Sequence, residues 1–265
     1  MKRVRSRKER SPTKAREGMK RGVYILPNLF TSGSLFCGFY AIIAAFNANF
    51  LYAAVAIAIA VIFDGIDGKV ARLTKATSRF GVEYDSLSDL VAFGVAPAIL
   101  VYAWALRPYG KFGWLAVFLY VACGALRLAR FNVQVDTVES RYFRGLPIPG
   151  AAGLIVATIF LCYRLGVRGA GSNLFILLMI YLLAFLMVSN IRYPSFKHLE
   201  LLKRKPFSTL VAIVLFLVVV VAEPAIVLFV LAAVYLLLGP AGVVRGWYRR
   251  RETTVSEEKT EPLIR

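Results

Sequence analysis

Eight apolar stretches, at roughly 23–46, 48–66, 82–105, 112–131, 146–165, 173–190, 207–222 and 224–244, constrain this chain more than any other feature. Most approach the roughly 20 residues a helix needs to cross the hydrocarbon of a bilayer. A segment in lipid must satisfy its backbone internally, so each stretch is expected to be a helix. Of the 265 residues, 58% are hydrophobic, and the excess is concentrated in these runs. That pattern excludes a soluble domain of this length and predicts an all-α fold, a polytopic membrane bundle of about eight transmembrane helices. The seventh stretch is the shortest and meets the eighth at Glu223-Pro224, where a tight reversal is expected.

The net charge of +18 lies between and beyond the apolar runs. Its expected partner is therefore anionic lipid, and no nucleic acid. The first 22 residues hold ten Lys or Arg and two Glu. Such a start is also seen in signal peptides, but the apolar run after it is longer than a signal core and lacks a small-x-small cleavage site. A disordered cytoplasmic tail before a retained first span is expected. With the N-terminus inside, the tail, the even-numbered connections and the C-terminus hold 29 of the 33 Lys and Arg. Only Arg107, Lys111, Arg164 and Arg168 fall outside. That bias predicts a multi-pass inner-membrane protein with both termini in the cytoplasm. Cys37, Cys123 and Cys162 lie inside apolar runs without CxxC spacing and read as small packing residues.

Five of the 15 acidic residues crowd into 64–89, where the second span leads into the third. Acids in membrane segments are costly and usually functional. Asp64 and Asp67 are three apart and Asp85 and Asp89 four apart, so on helices each pair shares a face. Gly68 and Ala71 continue the first face, and Gly81 precedes Asp85 by one turn, allowing close approach of a helix or ligand. Four neighbouring carboxylates repel one another unless divalent cations sit among them. An oxygen-only set suits Mg²⁺ or Mn²⁺, and Ca²⁺ as well. Substrate phosphate commonly completes such sites, and two metals can polarise a phosphoryl centre. Lys69, Arg72, Lys75 and Arg79 would add positive charge beside it. The plainer reading pairs these acids with nearby Lys and Arg as interfacial charges. Glu83 lies off the Asp85/Asp89 face and reads as an ordinary interfacial charge, and His198, the single histidine, lacks partners for a triad.

The spacing Asp64-x2-Asp67-Gly68-x2-Ala71-Arg72-x8-Gly81-x3-Asp85-x3-Asp89 resembles, without gap or substitution, the signature of the CDP-alcohol phosphatidyltransferases. Within that family the chain is most similar to integral-membrane phosphatidylserine synthases of bacteria and archaea. The similarity lies at Leu26-Pro27-Asn28-Leu29-Phe30-Thr31, Phe80 to Asp89, Phe93-Gly94-Val95-Ala96-Pro97, Gly124 to Asn132, Gly145 to Gly150 and Ser189 to Ser195. The resemblance implies a six-helix transferase core over 23–200, two additional C-terminal helices in 201–245, and charged tails at 1–22 and 246–265. It further implies that Asp64 and Asp85 bridge two metals, that Asp67 ligates one, and that Asp89 ligates the other while serving as general base. Gly68, Ala71 and Arg72 would meet the CDP portion, with Asn28, Thr31 and Ser78 as additional contacts. Many relatives place an Arg soon after the Pro-Asn-x-x-Thr stretch, where this chain reads Ser32-Gly33-Ser34-Leu35.

The implied reaction transfers the phosphatidyl group of CDP-diacylglycerol to the hydroxyl of L-serine, releasing CMP. Serine brings a carboxylate, and Arg127, Arg130 and Arg192 lie on the expected active-site side of the membrane. Each is a candidate acceptor clamp, or else a cation gripping lipid phosphate. A sibling enzyme using glycerol 3-phosphate, inositol or inositol phosphate is the alternative within the family. A divalent-cation transporter is the alternative outside it, and a non-catalytic lipid-binding scaffold is a third. Kinship also implies a homodimer.

Overall fold

The computed structural model describes residues 12–74, 78–134, 142–167, 173–194 and 206–260. Nine α-helices make up most of them: α1 (Pro12–Phe46), α2 (Phe50–Thr74), α3 (Arg79–Asp89), α4 (Ala96–Val101), α5 (Lys111–Gln134), α6 (Ile148–Arg164), α7 (Leu174–Val188), α8 (Pro206–Ala222) and α9 (Pro224–Thr260). Each apolar stretch falls on one helical rod, as expected of a polytopic helical membrane protein. The third rod is composite. From α3 it widens into π-helical turns at Leu90–Val95, continues as α4, widens again at Tyr102–Leu106 and ends in a 3-10 turn at Arg107–Tyr109. Five rods are long and apolar enough to cross a bilayer: Ile25–Phe46, Phe50–Thr74, Arg79–Tyr109, Lys111–Val133 and Pro224–Gly242. Helices α6 and α7 are apolar but shorter, at 17 and 15 residues.

Small side chains set the closest contacts. Helices α1 and α2 form an antiparallel hairpin along buried Ala41, Ala44 and Ala45 on one side and Ala53, Ala54, Ala56 and Ala60 on the other. In lipid, packing of this kind replaces the hydrophobic effect between helices. A side chain at Gly38 would bring a Cβ within 2.6 Å of Ala92 Cα, so glycine sets how closely α1 meets the third rod. That rod and α6 supply much of the buried centre, including Phe93, Leu100, Leu106, Ile148, Ile155 and Ile159. Outward, Phe36, Phe118 and Leu178 are 68%, 63% and 58% exposed, a surface fit for acyl chains.

Three features depart from the sequence expectation. Helix α1 begins at Pro12, inside the stretch expected to be a disordered tail. Proline is tolerated in a first helical turn, and Lys14, Ala15, Arg16, Glu17, Met19, Lys20 and Arg21 all favour helix. Helix α9 likewise continues to Thr260, past its apolar stretch. Two expected connections also pair as short antiparallel strands, β1 (Tyr142–Arg144) and β2 (Arg192–Pro194), with Phe143 opposite Tyr193 and Arg144 opposite Arg192. Three residues carry too little alternation to be read as a strand beforehand.

The two ends of the bundle differ. At one end lie the α1–α2 turn, the Arg107–Lys111 connection and the close of α6, where Arg164 clasps Glu223 with Nη2 at 2.7 Å and Nε at 3.1 Å. Glu223 is the one residue between α8 and α9. The other end gathers the close of α2, the start of α3, the close of α5, the strand pair and the start of α6. All four aspartates of the sequence signature are found there.

Candidate active site

The site is framed by the first turns of the third rod and the last turns of α2. Ser78 caps α3 with extended backbone, its Oγ accepting the Gly81 N–H at 2.9 Å. Serine suits this position because its oxygen satisfies a backbone donor that the helix itself cannot. A Cβ on Gly81 would lie 3.1 Å from Ser78 Oγ and 3.4 Å from Asn28 Oδ1. Glycine therefore lets Asn28 of α1 come up against the cap.

Helix α1 is tied to both neighbours by hydroxyls. Thr31 Oγ1 donates to Asp67 Oδ2 at 3.0 Å and lies 3.2 Å from the Pro27 carbonyl. Ser88 Oγ donates to the Thr31 carbonyl at 3.0 Å. Ser32 Oγ bonds the Asn28 carbonyl and the Tyr84 hydroxyl, both at 2.8 Å. The Thr31 contact orients Asp67, which is only 4% exposed.

Carboxylate oxygens of Asp64, Asp67 and Asp85 lie within 4.8 Å of one another. Asp89 stands beside Asp64, close enough for their carboxyl groups to interact. Asp85 Oδ1 is buried without a protein partner. Two like charges about 5 Å apart repel by roughly 3 kcal/mol even at an effective dielectric near 20. Among the described residues no Lys or Arg is ion-paired with these aspartates, and the pairing of Arg164 with Glu223 is at the opposite end. Interfacial ion pairing therefore does not account for the cluster. An oxygen-only, mutually repelling donor set with an unpartnered buried oxygen fits a hard divalent cation.

Beside the acids lies a cleft lined by Pro27, Asn28, Thr31, Asp67, Gly68, Ala71, Ser78, Gly81, Val82 and Asp85. The nucleotide-side candidates Asn28, Thr31, Gly68, Ala71 and Ser78 thus line one cleft. Arg72 lies one turn beyond Gly68, its guanidinium nitrogens 3.8 and 3.9 Å from where a Gly68 Cβ would be. Lys69, Arg72 and Arg79 are exposed, Lys75 and His198 lie outside the described residues, and Glu83 approaches Asn132 at 3.4 Å, away from the cluster.

The three arginines proposed for the acceptor part company. Arg127 lies close enough to Asp89 and to Tyr235 for charges and dipoles to interact, and its buried Nε has no hydrogen-bond partner. Arg130 is committed to Asn190, with Nη2 2.7 Å from Oδ1. Arg192 belongs to β2, and its side chain lies outside those described. Sequence reasoning missed Tyr84, Asn132, Asn190 and Tyr235. The first three lie within stretches that carry the family resemblance, but polarity in apolar or connecting sequence also describes ordinary interfacial residues.

The profile of the CDP-alcohol phosphatidyltransferase family matches residues 24–189. A CDP-diacylglycerol–serine O-phosphatidyltransferase of Helicobacter pylori is 40% identical over 217 residues, which cover 82% of this chain and 90% of that one. The Bacillus subtilis protein of the same name is 36% identical over 65% of this chain and 91% of its own length. An archaetidylserine synthase of Methanothermobacter thermautotrophicus is 39% identical over 64% of this chain and 69% of its own.

Proposed function

The chain belongs to the CDP-alcohol phosphatidyltransferase family, and we propose that it makes phosphatidylserine and CMP from CDP-diacylglycerol and L-serine. The observation that carries this reading is the convergence of Asp64, Asp67 and Asp85 within 4.8 Å, with Asp89 beside Asp64, next to a cleft lined by small and polar residues. The serine acceptor is supported by the names of the relatives.

In this reading Asp64, Asp67, Asp85 and Asp89 hold two divalent ions, Mg²⁺ or Mn²⁺, with Ca²⁺ a further candidate. Bound there, the metal supplies Lewis-acid stabilisation of charge on the pyrophosphate. Asn28, Thr31, Gly68, Ala71, Arg72 and Ser78 seat the CDP portion, small residues giving room and Arg72 a cation. The serine hydroxyl attacks the lipid-side phosphorus, the bond to the CMP oxygen breaks, and Asp89 takes the hydroxyl proton. Arg127 holds the serine carboxylate beside Asp89, where its buried Nε–H awaits an acceptor. Arg130 and Arg192 then serve the surrounding headgroup region.

The active-site end and both termini face the cytoplasm of a cell-membrane protein, consistent with the Lys and Arg distribution. The core spans 23–200, the additional pair 201–245, and kinship with dimeric relatives supports a homodimer. The aspartates lie about two to three turns in from helix ends, next to basic residues, which suits phosphate chemistry better than midplane cation transport.

Release of CMP from CDP-diacylglycerol is the test, with serine, glycerol 3-phosphate, inositol and inositol phosphate as acceptors, each with and without chelator. Chelator-sensitive release with serine alone is expected. Release with glycerol 3-phosphate and none with serine would overturn the acceptor assignment.

A further inference from the structure

Helix α9 lies wholly beyond residues 24–189, yet it enters the end of the bundle where the aspartates meet. Its contacts are specific. Tyr193 of β2 is fully buried and lies 3.3 Å, hydroxyl to carbonyl oxygen, from Leu236, to which it donates. Gly239 leaves the space its ring fills, since any Cβ there would overlap it. The Tyr193 ring packs on Tyr235 with centroids 5.6 Å apart and planes tilted by 43°. From the other side Gly150 of α6 meets Tyr235, whose Cε1 would be 3.2 Å from a Cβ at that position. Tyr235 is thus held between a strand and a helix of the core.

Beyond Tyr235 stands Arg127, which also neighbours Asp89. An arginine keeps its charge and cannot relieve burial by losing a proton. A buried guanidinium N–H without a partner is costly, and an anion supplied by a ligand removes that cost. The side chain must nonetheless be aimed, because five donors on a flexible stem can point elsewhere. Asp89 and Tyr235 are the two groups near enough to act on it.

We infer that Tyr235 is a positioning residue for acceptor recognition: packed against Gly150 and Tyr193, it fixes the Arg127 guanidinium so that a carboxylate beside Asp89 is met in a defined orientation. The helix pair outside the family core is then part of the acceptor pocket. This rests on the proposed placement of the acceptor carboxylate at Arg127.

The test is steady-state kinetics of the full chain in lipid nanodiscs, wild type against Tyr235→Phe and Tyr235→Ala, using whichever acceptor the wild type turns over. Losing one oriented contact to a charged group should raise the acceptor KM roughly tenfold in Tyr235→Phe, and more in Tyr235→Ala. The KM for CDP-diacylglycerol and kcat at saturating acceptor should stay within about twofold. An unchanged acceptor KM in Tyr235→Phe, or an equal rise in both KM values, overturns the inference. Tyr235→Phe keeps the ring packing and so decides the matter even if Tyr235→Ala fails to fold. A wild-type protein active with glycerol 3-phosphate but not with serine would refute the serine assignment. The KM comparison would then still be made, with that acceptor.

Discussion

Each of the four aspartates is held differently, and so each should fail differently. Asp89 neighbours Asp64 and Arg127, the place where an acceptor hydroxyl and its carboxylate would both be handled. Asp89→Asn should keep nucleotide-lipid binding while CMP release falls by about 10²–10⁴-fold. Near-normal release would remove the base role. Asp67 depends on Thr31, whose hydroxyl reaches it at 3.0 Å from another helix. Thr31→Val preserves shape and deletes that contact, so the Mg²⁺ concentration for half-maximal activity should rise roughly tenfold, as for other groups that orient metal ligands. An unchanged metal titration would show that Thr31 does not orient a ligand. Much at this scale could be read from spacing. Intervals of three and four put each pair of acids on one face, and the repulsion argument supplied the cation. The partners could not be read, because Thr31 and Tyr235 are distant in sequence and each resembles a common interfacial residue.

Helices meet here through what is missing from them. Gly38 stands where a Cβ would come within 2.6 Å of Ala92 Cα, a backbone atom that cannot rotate away. Gly38→Ala should therefore cost roughly 1–3 kcal/mol by overpacking, read as a lower unfolding midpoint in detergent. Gly153, with nothing within 4 Å of its would-be Cβ, is the contrast. Gly153→Ala should be stabilising by about 0.5–1 kcal/mol, since alanine restricts the unfolded chain more than glycine does. Hydropathy located the rods because lipid imposes a length and a composition on any spanning helix. It could not locate the π-helical turns of the third rod or the β1–β2 pair. Both depend on which neighbours a backbone segment meets.

For the molecule as a whole, the chemistry is gathered at one end and a fastening at the other. Arg164 at the close of α6 holds Glu223 between α8 and α9, and this contact keeps the Glu223 carboxyl below its ordinary 4.5. A carboxylate whose pKa is lowered by folding adds stability above the unfolded value and loses it as pH falls through the lowered one. The difference in unfolding midpoint between wild type and Glu223→Gln should therefore be present at neutral pH and vanish in acid. A pH-independent difference would assign the effect to packing. Orientation is a property of this same scale. In a cysteine-free background, Lys69→Cys should resist an impermeant thiol reagent added outside intact cells, and Lys111→Cys should react. The reverse pattern would place the aspartates outside.

The third rod makes a further consequence visible. Asp85 and Asp89 ride on its regular first turns, and immediately afterwards the backbone widens over Leu90–Val95, where Tyr120 donates to the Phe93 carbonyl at 3.0 Å. A widened turn inserts an angular offset between the helical segments on its two sides. The stretch bearing the acids and the stretch buried among other helices therefore need not share one rotational phase. Removing a single residue from the wide turn would swing the acids by about 100° relative to the anchored remainder. The rod works as a shaft with a built-in coupling, and the bearing of the aspartates is set at that coupling.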